Sequence, residues 1–143
     1  MSDTTAADTS ADGGARKARP LSPHLGIYKP IPTMVMSILH RITGAALYFG
    51  TILVAWWLLA AAAGPEAFET ARTFFGSWFG RLVLFGYTFV LIHHMLGGLK
   101  HLVQDTGRAL DKHVTTKMAI AQPVLSAVIT ALIWFAAFAV RLA

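Results

Sequence analysis

Cysteine is absent from the 143-residue sequence, and charged residues are scarce. Without cysteine the chain can form no disulfide, no thiolate metal site and no cysteine nucleophile, so any metal must be bound through histidine, carboxylate or methionine. Only 13% of the residues are charged, whereas 55% are hydrophobic, and the mean hydropathy is +0.57. This balance excludes an ordinary soluble globule and indicates a membrane protein.

The formal net charge of +5 is carried by residues that flank apolar segments. Basic residues before the first such segment and after the second are Arg16, Lys17, Arg19, Lys29, Arg108, Lys112 and Lys117. The connection between those two segments has Arg72, with Arg81 at its edge. This distribution is typical of cytoplasmic membrane flanks rather than of a nucleic-acid-binding protein, and it predicts an N-terminus on the cytoplasmic or matrix side.

Three apolar segments are long enough to cross a bilayer, which takes about 20 helical residues. They span about residues 35–63, 82–103 and 118–140. Because backbone polar groups cannot stay unpaired in lipid, each segment is predicted to be a helix, which makes the fold an all-α membrane protein. Residues 1–18 are small and polar, which predicts a disordered tail rather than a cleaved secretory signal. Residues 19–143 are predicted to form one transmembrane domain of three helices, with a loop between the first two helices.

The second apolar segment carries a polar stripe made of His94, Gly98, His101 and Asp105. Successive helical residues turn by about 100°, so His93 points away from this stripe and is predicted to be structural. If Asp105 marks the membrane interface, His94 lies about 16 Å deeper, near the middle of the bilayer. Gly97 and Gly98 remove side chains nearby, which allows a helix or a flat cofactor to approach the backbone.

The first apolar segment has a similar polar face near its cytoplasmic end. Ser37, Arg41 and Gly44 share this face, and His40 lies on its flank. An arginine inside a bilayer costs from about 3 to over 10 kcal/mol unless it reaches water or an anion. The two polar faces lie toward the same side of the membrane, so they can converge on one ligand.

Plainer alternatives exist for the individual polar residues. A single histidine in a membrane helix often serves only an interhelical hydrogen bond, but two polar stripes on two helices favour a cofactor or substrate site. The alternative interpretation is a solvated loop with no role in a site for Asp105, Arg108 and Lys112. His24 and His113, in flanking segments, are predicted to be surface groups.

Haem fits a histidine placed deep in the membrane beside small residues, since its iron accepts an imidazole as axial ligand. Cationic residues nearer the interface would pair with its propionates. His94 is the one deep histidine on the stripe, so a six-coordinate iron needs a ligand from another chain, which predicts a hetero-oligomer. Ser37 and Arg41, which lie shallower, could hydrogen-bond a carbonyl oxygen of a quinone.

Two motifs resemble those of the cytochrome b membrane-anchor subunit of succinate dehydrogenase, respiratory complex II. The family's first signature opens on Arg-Pro and closes on Ser-x-x-His-Arg-x-Ser/Thr, filled here by Arg19, Pro20, Ser37, His40, Arg41 and Thr43. Its second signature is matched by His94, Gly98, Leu99, His101 and Asp105. The resemblance covers about residues 19–140. Lys100 replaces the usual Arg, which loses the planar fork, and Gln104 replaces an aromatic residue or Met.

The resemblance implies a role for each site residue. His94 would be an axial ligand of haem b. Three further side chains would lie near the haem propionates, namely His40, Arg41 and His101. Ser37 and Arg41 would help to form the ubiquinone site, with Asp105 as an ion-pair partner or proton relay.

The resemblance also implies a three-helix chain that forms half of a heterodimeric haem-binding bundle. A second membrane-anchor subunit would supply the other haem ligand. A flavoprotein subunit would oxidise succinate, an iron-sulfur subunit would carry the electrons, and ubiquinone would be reduced at the anchor. No residue of this chain would take part in the succinate chemistry itself.

Two rival functions and the location remain to be tested. A fumarate reductase anchor working with menaquinol shares the architecture, and a non-redox assembly or transport subunit would use the histidines for packing alone. The expected location is the bacterial cytoplasmic membrane, in preference to the mitochondrial inner membrane.

Overall fold

A computed structural model of the chain describes residues 24, 26 and 28–142. Its four α-helices are α1 (Pro32–Ala63), α2 (Pro65–Gly76), α3 (Trp78–Asp105) and α4 (Lys112–Leu142). Three of them, α1, α3 and α4, are long and apolar enough to cross a membrane, and the described part of the chain contains no strand. The prediction of an all-α membrane protein with three spanning helices is confirmed. The predicted tail, 1–18, lies outside the described residues.

The spanning helices begin earlier than the sequence predicted, because local caps extend them. α1 begins at Pro32 rather than at 35, since a proline at the first helical position has a fixed φ and needs no hydrogen-bond partner for its nitrogen. α3 begins at Trp78 rather than at 82, because the Ser77 hydroxyl oxygen accepts a hydrogen bond from the backbone N–H of Gly80 at 3.0 Å. α3 ends at Asp105 instead of 103.

The fourth helix is extended in the same way. It begins at Lys112 rather than at 118, because the Asp111 carboxylate accepts hydrogen bonds from the N–H groups of His113 at 2.8 Å and Val114 at 3.2 Å. A carboxylate at this position caps two of the orphan donors that open a helix. The result is a short connection from α3, in which Gly107 (φ 79°) and Ala109 (φ 56°) take left-handed conformations.

The predicted loop between the first two spanning helices is wrong, since most of it forms α2. Gly64, with φ at 117°, ends α1, and Pro65 opens α2 directly after it. The aromatic contacts between α2 and the end of α1 are Trp56 with Phe74, Trp56 with Phe75, and Trp57 with Phe68. The exposed side chains of Arg72 and Glu69 form an ion pair. Apolar and charged residues thus recur at helical spacing, which a loop prediction overlooks.

The three spanning helices pack against one another around a polar interior. The buried polar side chains of the described residues are Thr43, His93, Gln122, Ser126 and Thr130. Large apolar side chains, in contrast, lie mostly exposed on the outside of the chain, which suits helices that face lipid. Glycines bring the helices close: a Cβ added to Gly50 of α1 would overlap the ring of Tyr87 on α3. Small residues at helix crossings are typical of membrane bundles.

Candidate functional site

The imidazole of His94 on α3 faces α1 and is half-buried. Its ring stacks on the ring of His40 from α1, with centroids 4.0 Å apart and planes 4° from parallel. A Cβ added to Gly44 would lie 3.0 Å from His94 Cε1, so the glycine leaves the room that this imidazole occupies. Two residues of α1, one turn apart, therefore fix where the His94 ring lies.

The hydrogen bonds of His94 determine which of its nitrogens is free. Its Nδ1 lies 3.2 Å from the backbone carbonyl oxygen of His40 and 3.2 Å from Thr43 Oγ1. The Thr43 hydroxyl hydrogen is directed to the carbonyls of Leu39 and His40, at 2.9 Å and 3.0 Å. Because a carbonyl oxygen only accepts, Nδ1 must carry the proton and donate it. The lone pair of His94 then lies on Nε2, which is the nitrogen that a metal would take.

His40 lies at the centre of this site, whereas the sequence placed it on a flank. Besides stacking on His94, its ring meets the ring of His101 edge to face at a centroid distance of 5.3 Å. Its Nδ1 is buried against Gly97 and has no hydrogen-bond partner within the described part of the chain. A helical wheel shows the faces of a single helix, so it cannot show this position. His40 lies beside His94 because α1 crosses α3 there.

The adjacent glycines Gly97 and Gly98 have different surroundings, although the sequence predicts the same role for both. A Cβ on Gly97 would lie 2.5 Å from His40 Nδ1 and 3.0 Å from Gln122 Nε2, so side chains of α1 and α4 fill the space beside this glycine. A Cβ on Gly98 would meet no atom of the described residues within 4 Å. Gly97 therefore allows side chains of α1 and α4 to pack closely on α3. Gly98 lies on the same stripe as His94, on a face of α3 that the described part of the chain leaves open.

His93 points away from His94 and into the interface with α4. Only 2% of its surface is exposed, and its ring nitrogens lie 3.3 Å from Ser126 Oγ and 3.3 Å from Gln122 Nε2. The Gln122 amide also donates to the backbone carbonyl of His93 at 3.0 Å. Sequence reasoning missed Gln122 and Ser126, although polar residues four apart in an apolar helix mark one face.

The predicted quinone residues lie at the surface of the chain. Ser37 and Arg41 are exposed on α1 and Asp105 is exposed at the end of α3, as is His101. Among the described side chains the ion pair is Arg72 with Glu69, and none joins Arg41 to Asp105. Exposed polar groups beside an apolar bundle are available to a ligand or a partner. The assignment of these residues to a quinone site stays a prediction.

Lys100, the departure from the usual arginine, is half-buried on the other side of α3. Its side chain lines an apolar groove of about 260 Å³ between α3 and α4, together with Leu96, Gln122 and Leu125. A flexible lysine can reach water from such a groove while its methylene chain packs on apolar neighbours. The charge at this position therefore lies on the side of α3 that faces α4.

The donor set can hold an iron only in partnership with other ligands. Within the described residues no three His, Asp or Glu side chains come together as a metal site. His94 alone offers one imidazole nitrogen, directed by a backbone hydrogen bond, and haem iron needs a single protein ligand on each face because the porphyrin fills the other four positions. The site fits haem and does not fit a mononuclear metal ion.

Comparison with known protein families identifies the family of this chain. The family described as "Succinate dehydrogenase/Fumarate reductase transmembrane subunit" matches residues 15–133. The chain belongs to this family. The match covers all of α1, α2 and α3 and most of α4, and therefore the whole site described above.

Relatives of this transmembrane subunit come from bacteria and from mitochondria. The succinate dehydrogenase cytochrome b556 subunit of Paracoccus denitrificans is 42% identical over 123 residues, which cover 84% of this chain and 95% of that protein. The protein of the same name from Rickettsia typhi is 32% identical over 116 residues, covering 81% and 90%. The mitochondrial cytochrome b560 subunit of Mus musculus is 39% identical over 97 residues, covering 64% and 56%.

These matches confirm the resemblance seen in the motifs. They support a succinate dehydrogenase cytochrome b membrane subunit, which is one subunit of an enzyme complex. The relatives named above are all called succinate dehydrogenase subunits, which does not favour the fumarate reductase alternative. The alternative of a non-redox assembly or transport subunit has no support from them.

Proposed function

We propose that this chain anchors a succinate:quinone oxidoreductase in the membrane, holds haem b through His94 Nε2, and contributes Ser37, Arg41 and Asp105 to a ubiquinone-reduction site. The observation that carries the haem assignment is the hydrogen bond from His94 Nδ1 to the backbone carbonyl of His40. A hydrogen bond from the ring nitrogen that does not bind the metal orients a metal-bound histidine and fixes its tautomer. The cytochrome b names of the relatives support the same cofactor.

The histidines and the arginine around His94 suit the acidic edge of a haem. His40 stacks on His94, His101 meets His40, and Arg41 follows His40 directly in α1. Their N–H groups can donate to propionate oxygens, and a guanidinium binds a carboxylate with two parallel bonds. Haem, when bound, supplies an iron centre that accepts and releases one electron.

The quinone site is proposed on the exposed face of α1 near its cytoplasmic end. Ser37 and Arg41 are one helical turn apart, so both can donate hydrogen bonds to the same carbonyl oxygen of a quinone head group. Reduction to the quinol takes two electrons and two protons. The carboxylate of Asp105, exposed at the end of α3, can pass protons between water and this face.

Partners complete both sites. A flavoprotein subunit would oxidise succinate, and an iron-sulfur subunit would deliver the electrons to the quinone. Because His93 is fully engaged with α4 and His94 offers one nitrogen, the second axial ligand of the haem would come from another membrane-anchor subunit. This makes the chain half of a heterodimeric bundle, covered by its partner on the face that carries Gly98.

The proposed location is the bacterial cytoplasmic membrane, with the N-terminus on the cytoplasmic side. The basic residues near the ends of the spanning helices support this orientation, since the connection after α3 and the start of α4 carry Arg108, Lys112 and Lys117. Matches to bacterial subunits over most of their length support a bacterial membrane.

The haem assignment is tested by difference spectra of membranes that contain the assembled complex. His94→Leu should lose the reduced-minus-oxidised b-type band at unchanged flavoprotein content, and His93→Gln, which keeps a donor and an acceptor toward α4, should retain it. A full band in His94→Leu would refute the assignment.

The quinone assignment is tested by two activities of the same preparation. Ser37→Ala and Arg41→Leu should depress succinate:ubiquinone reductase activity and leave succinate oxidation by a soluble artificial acceptor intact. Unchanged quinone reduction in both variants would refute the site. A matched change at Thr51, an exposed hydroxyl farther along α1 that bonds its own helix, should affect neither activity.

A further inference from the structure

Buried hydrogen bonds connect α4 to the residue immediately before the proposed haem ligand. The Ser126 hydroxyl donates to the backbone carbonyl of Gln122 at 2.7 Å, so its oxygen is left to accept from His93 Nδ1–H at 3.3 Å. His93 Nε2 then carries the lone pair and accepts from the Gln122 amide at 3.3 Å. Both ring nitrogens of His93 are thereby used within this chain.

The amide of Gln122 reaches further, to the peptide group between the two histidines. It donates to the backbone carbonyl of His93 at 3.0 Å, and that carbonyl belongs to the same rigid plane as the N–H of His94. Gln122 can approach this closely because residue 97 has no side chain. Three contacts therefore hold residue 93, and through its peptide plane the start of residue 94.

These contacts lie on a different face of α3 from the contacts with α1. On one face the ring and carbonyl of His40 hold the His94 imidazole, and on a second face, about 100° away, Gln122 and Ser126 hold His93. A helix held on two faces at consecutive residues cannot rotate about its axis without breaking bonds in a buried, apolar setting, where unpaired polar groups are costly. The rotation of α3 is what sets the direction of His94.

We infer that the hydrogen bonds of His93 with Gln122 and Ser126 fix the orientation of the His94 imidazole, which makes His93 a positioning residue for the axial ligand. The inference rests on the proposed haem function and adds to it a role for α4. Neither Gln122 nor Ser126 belongs to the motifs that mark the haem and quinone residues.

The test uses the oxidised, assembled complex in detergent and its low-temperature EPR spectrum. The largest g value of a low-spin haem depends on the orientation of its axial imidazole planes, so it responds to a rotation of His94. Ser126→Ala and Gln122→Leu should shift this g value while the b-type band remains. His93→Leu should shift it further, and His93→Gln should return it toward the wild-type value.

Thr130→Val is the matched control. Thr130 is buried on the same face of α4, one turn beyond Ser126, and its hydroxyl donates to the Ser126 carbonyl of its own helix, at 2.7 Å. This variant should leave the g value unchanged. An unchanged spectrum in Ser126→Ala and Gln122→Leu would overturn the inference, and so would an equal shift in Thr130→Val.

The outcomes separate this inference from the haem assignment. A wild-type complex that lacks a b-type band, or a His94→Leu complex that keeps it, refutes the proposed function. A band that depends on His94, together with a g value indifferent to residues 93, 122 and 126, refutes only the positioning role. If Gln122→Leu and His93→Leu fail to assemble, Ser126→Ala decides alone, because it removes one acceptor and no volume of consequence.

Discussion

The rings of His40 and His94 lie face to face, 4.0 Å apart and 4° from parallel, although they belong to different helices. The stack is accompanied by the bond from His94 Nδ1 to the His40 carbonyl. The ring of His40 thus controls the tilt of the His94 imidazole, and its backbone controls the tautomer. The two effects can be separated by mutation, because a substitution at residue 40 keeps the carbonyl.

His40→Phe and His40→Ala should therefore behave differently. Phenylalanine keeps a flat ring against His94, and such stacking is worth about 0.5–1.5 kcal/mol, whereas alanine removes it. We expect both variants to bind haem through the preserved tautomer, with the alanine variant losing haem faster during detergent purification. The measurement is the b-type absorbance per flavin before and after purification. Equal retention in the two variants would show that the stack contributes nothing.

Gly44→Ala should weaken haem binding by displacing the ligand ring. The new Cβ would lie 3.0 Å from His94 Cε1, closer than ordinary van der Waals contact, and overpacking of this kind costs about 1–3 kcal/mol. Gly86→Ala on α3 is the matched control, since a Cβ there meets no atom of residues 28–142 within 4 Å. Haem titration of the apo complex checks both variants. A haem affinity in Gly44→Ala equal to that of Gly86→Ala would contradict the predicted contact.

The sequence predicted the class of fold and the different directions of His93 and His94, because both depend on patterns within one helix. Apolar length determines the spans, and helical periodicity separates His94 from His93. The sequence could not predict contacts that depend on how helices cross. For this reason the sequence placed His40 on a flank, although it lies at the centre of the site. It could not indicate the contacts of Gln122, which form where α4 packs on α3.

The error in the first connection has a similar cause. The sequence predicts a loop for this segment, but Pro65 takes the first helical position, where its fixed φ suits a helix. The aromatic residues of this segment pack on Trp56 and Trp57 at the end of α1. The two tryptophans lie too far away in the sequence for a local pattern to predict this packing.

The ion pair on α2 should make a small contribution that depends on pH. Arg72 donates two hydrogen bonds to the Glu69 carboxylate, both at 2.8 Å, and these bonds lower the pKa of Glu69 in the folded chain. A lowered pKa stabilises the fold above the unfolded value, and the benefit disappears as the pH falls through the folded value.

Glu69→Gln should accordingly lower the thermal midpoint of the complex slightly at neutral pH, and the difference from wild type should vanish in acid. Both side chains are exposed, so the effect is expected to be small and to shrink in high salt. Thermal unfolding of wild type and variant across the acidic range checks this. A difference that grows on acidification would contradict the sign.

Gly97→Ala and Gly98→Ala should separate packing within the chain from packing against a partner. Alanine gains about 1 kcal/mol of helix propensity at either position. At residue 97 the clash with His40 and Gln122 costs about 1–3 kcal/mol and outweighs that gain, so less subunit should accumulate in membranes and the complex should unfold at a lower temperature. At residue 98 the described part of the chain offers no clash, so any loss of haem or of the partner subunit in Gly98→Ala locates their contact there. Normal accumulation and thermal stability of Gly97→Ala would show that α1 and α4 do not meet at this glycine.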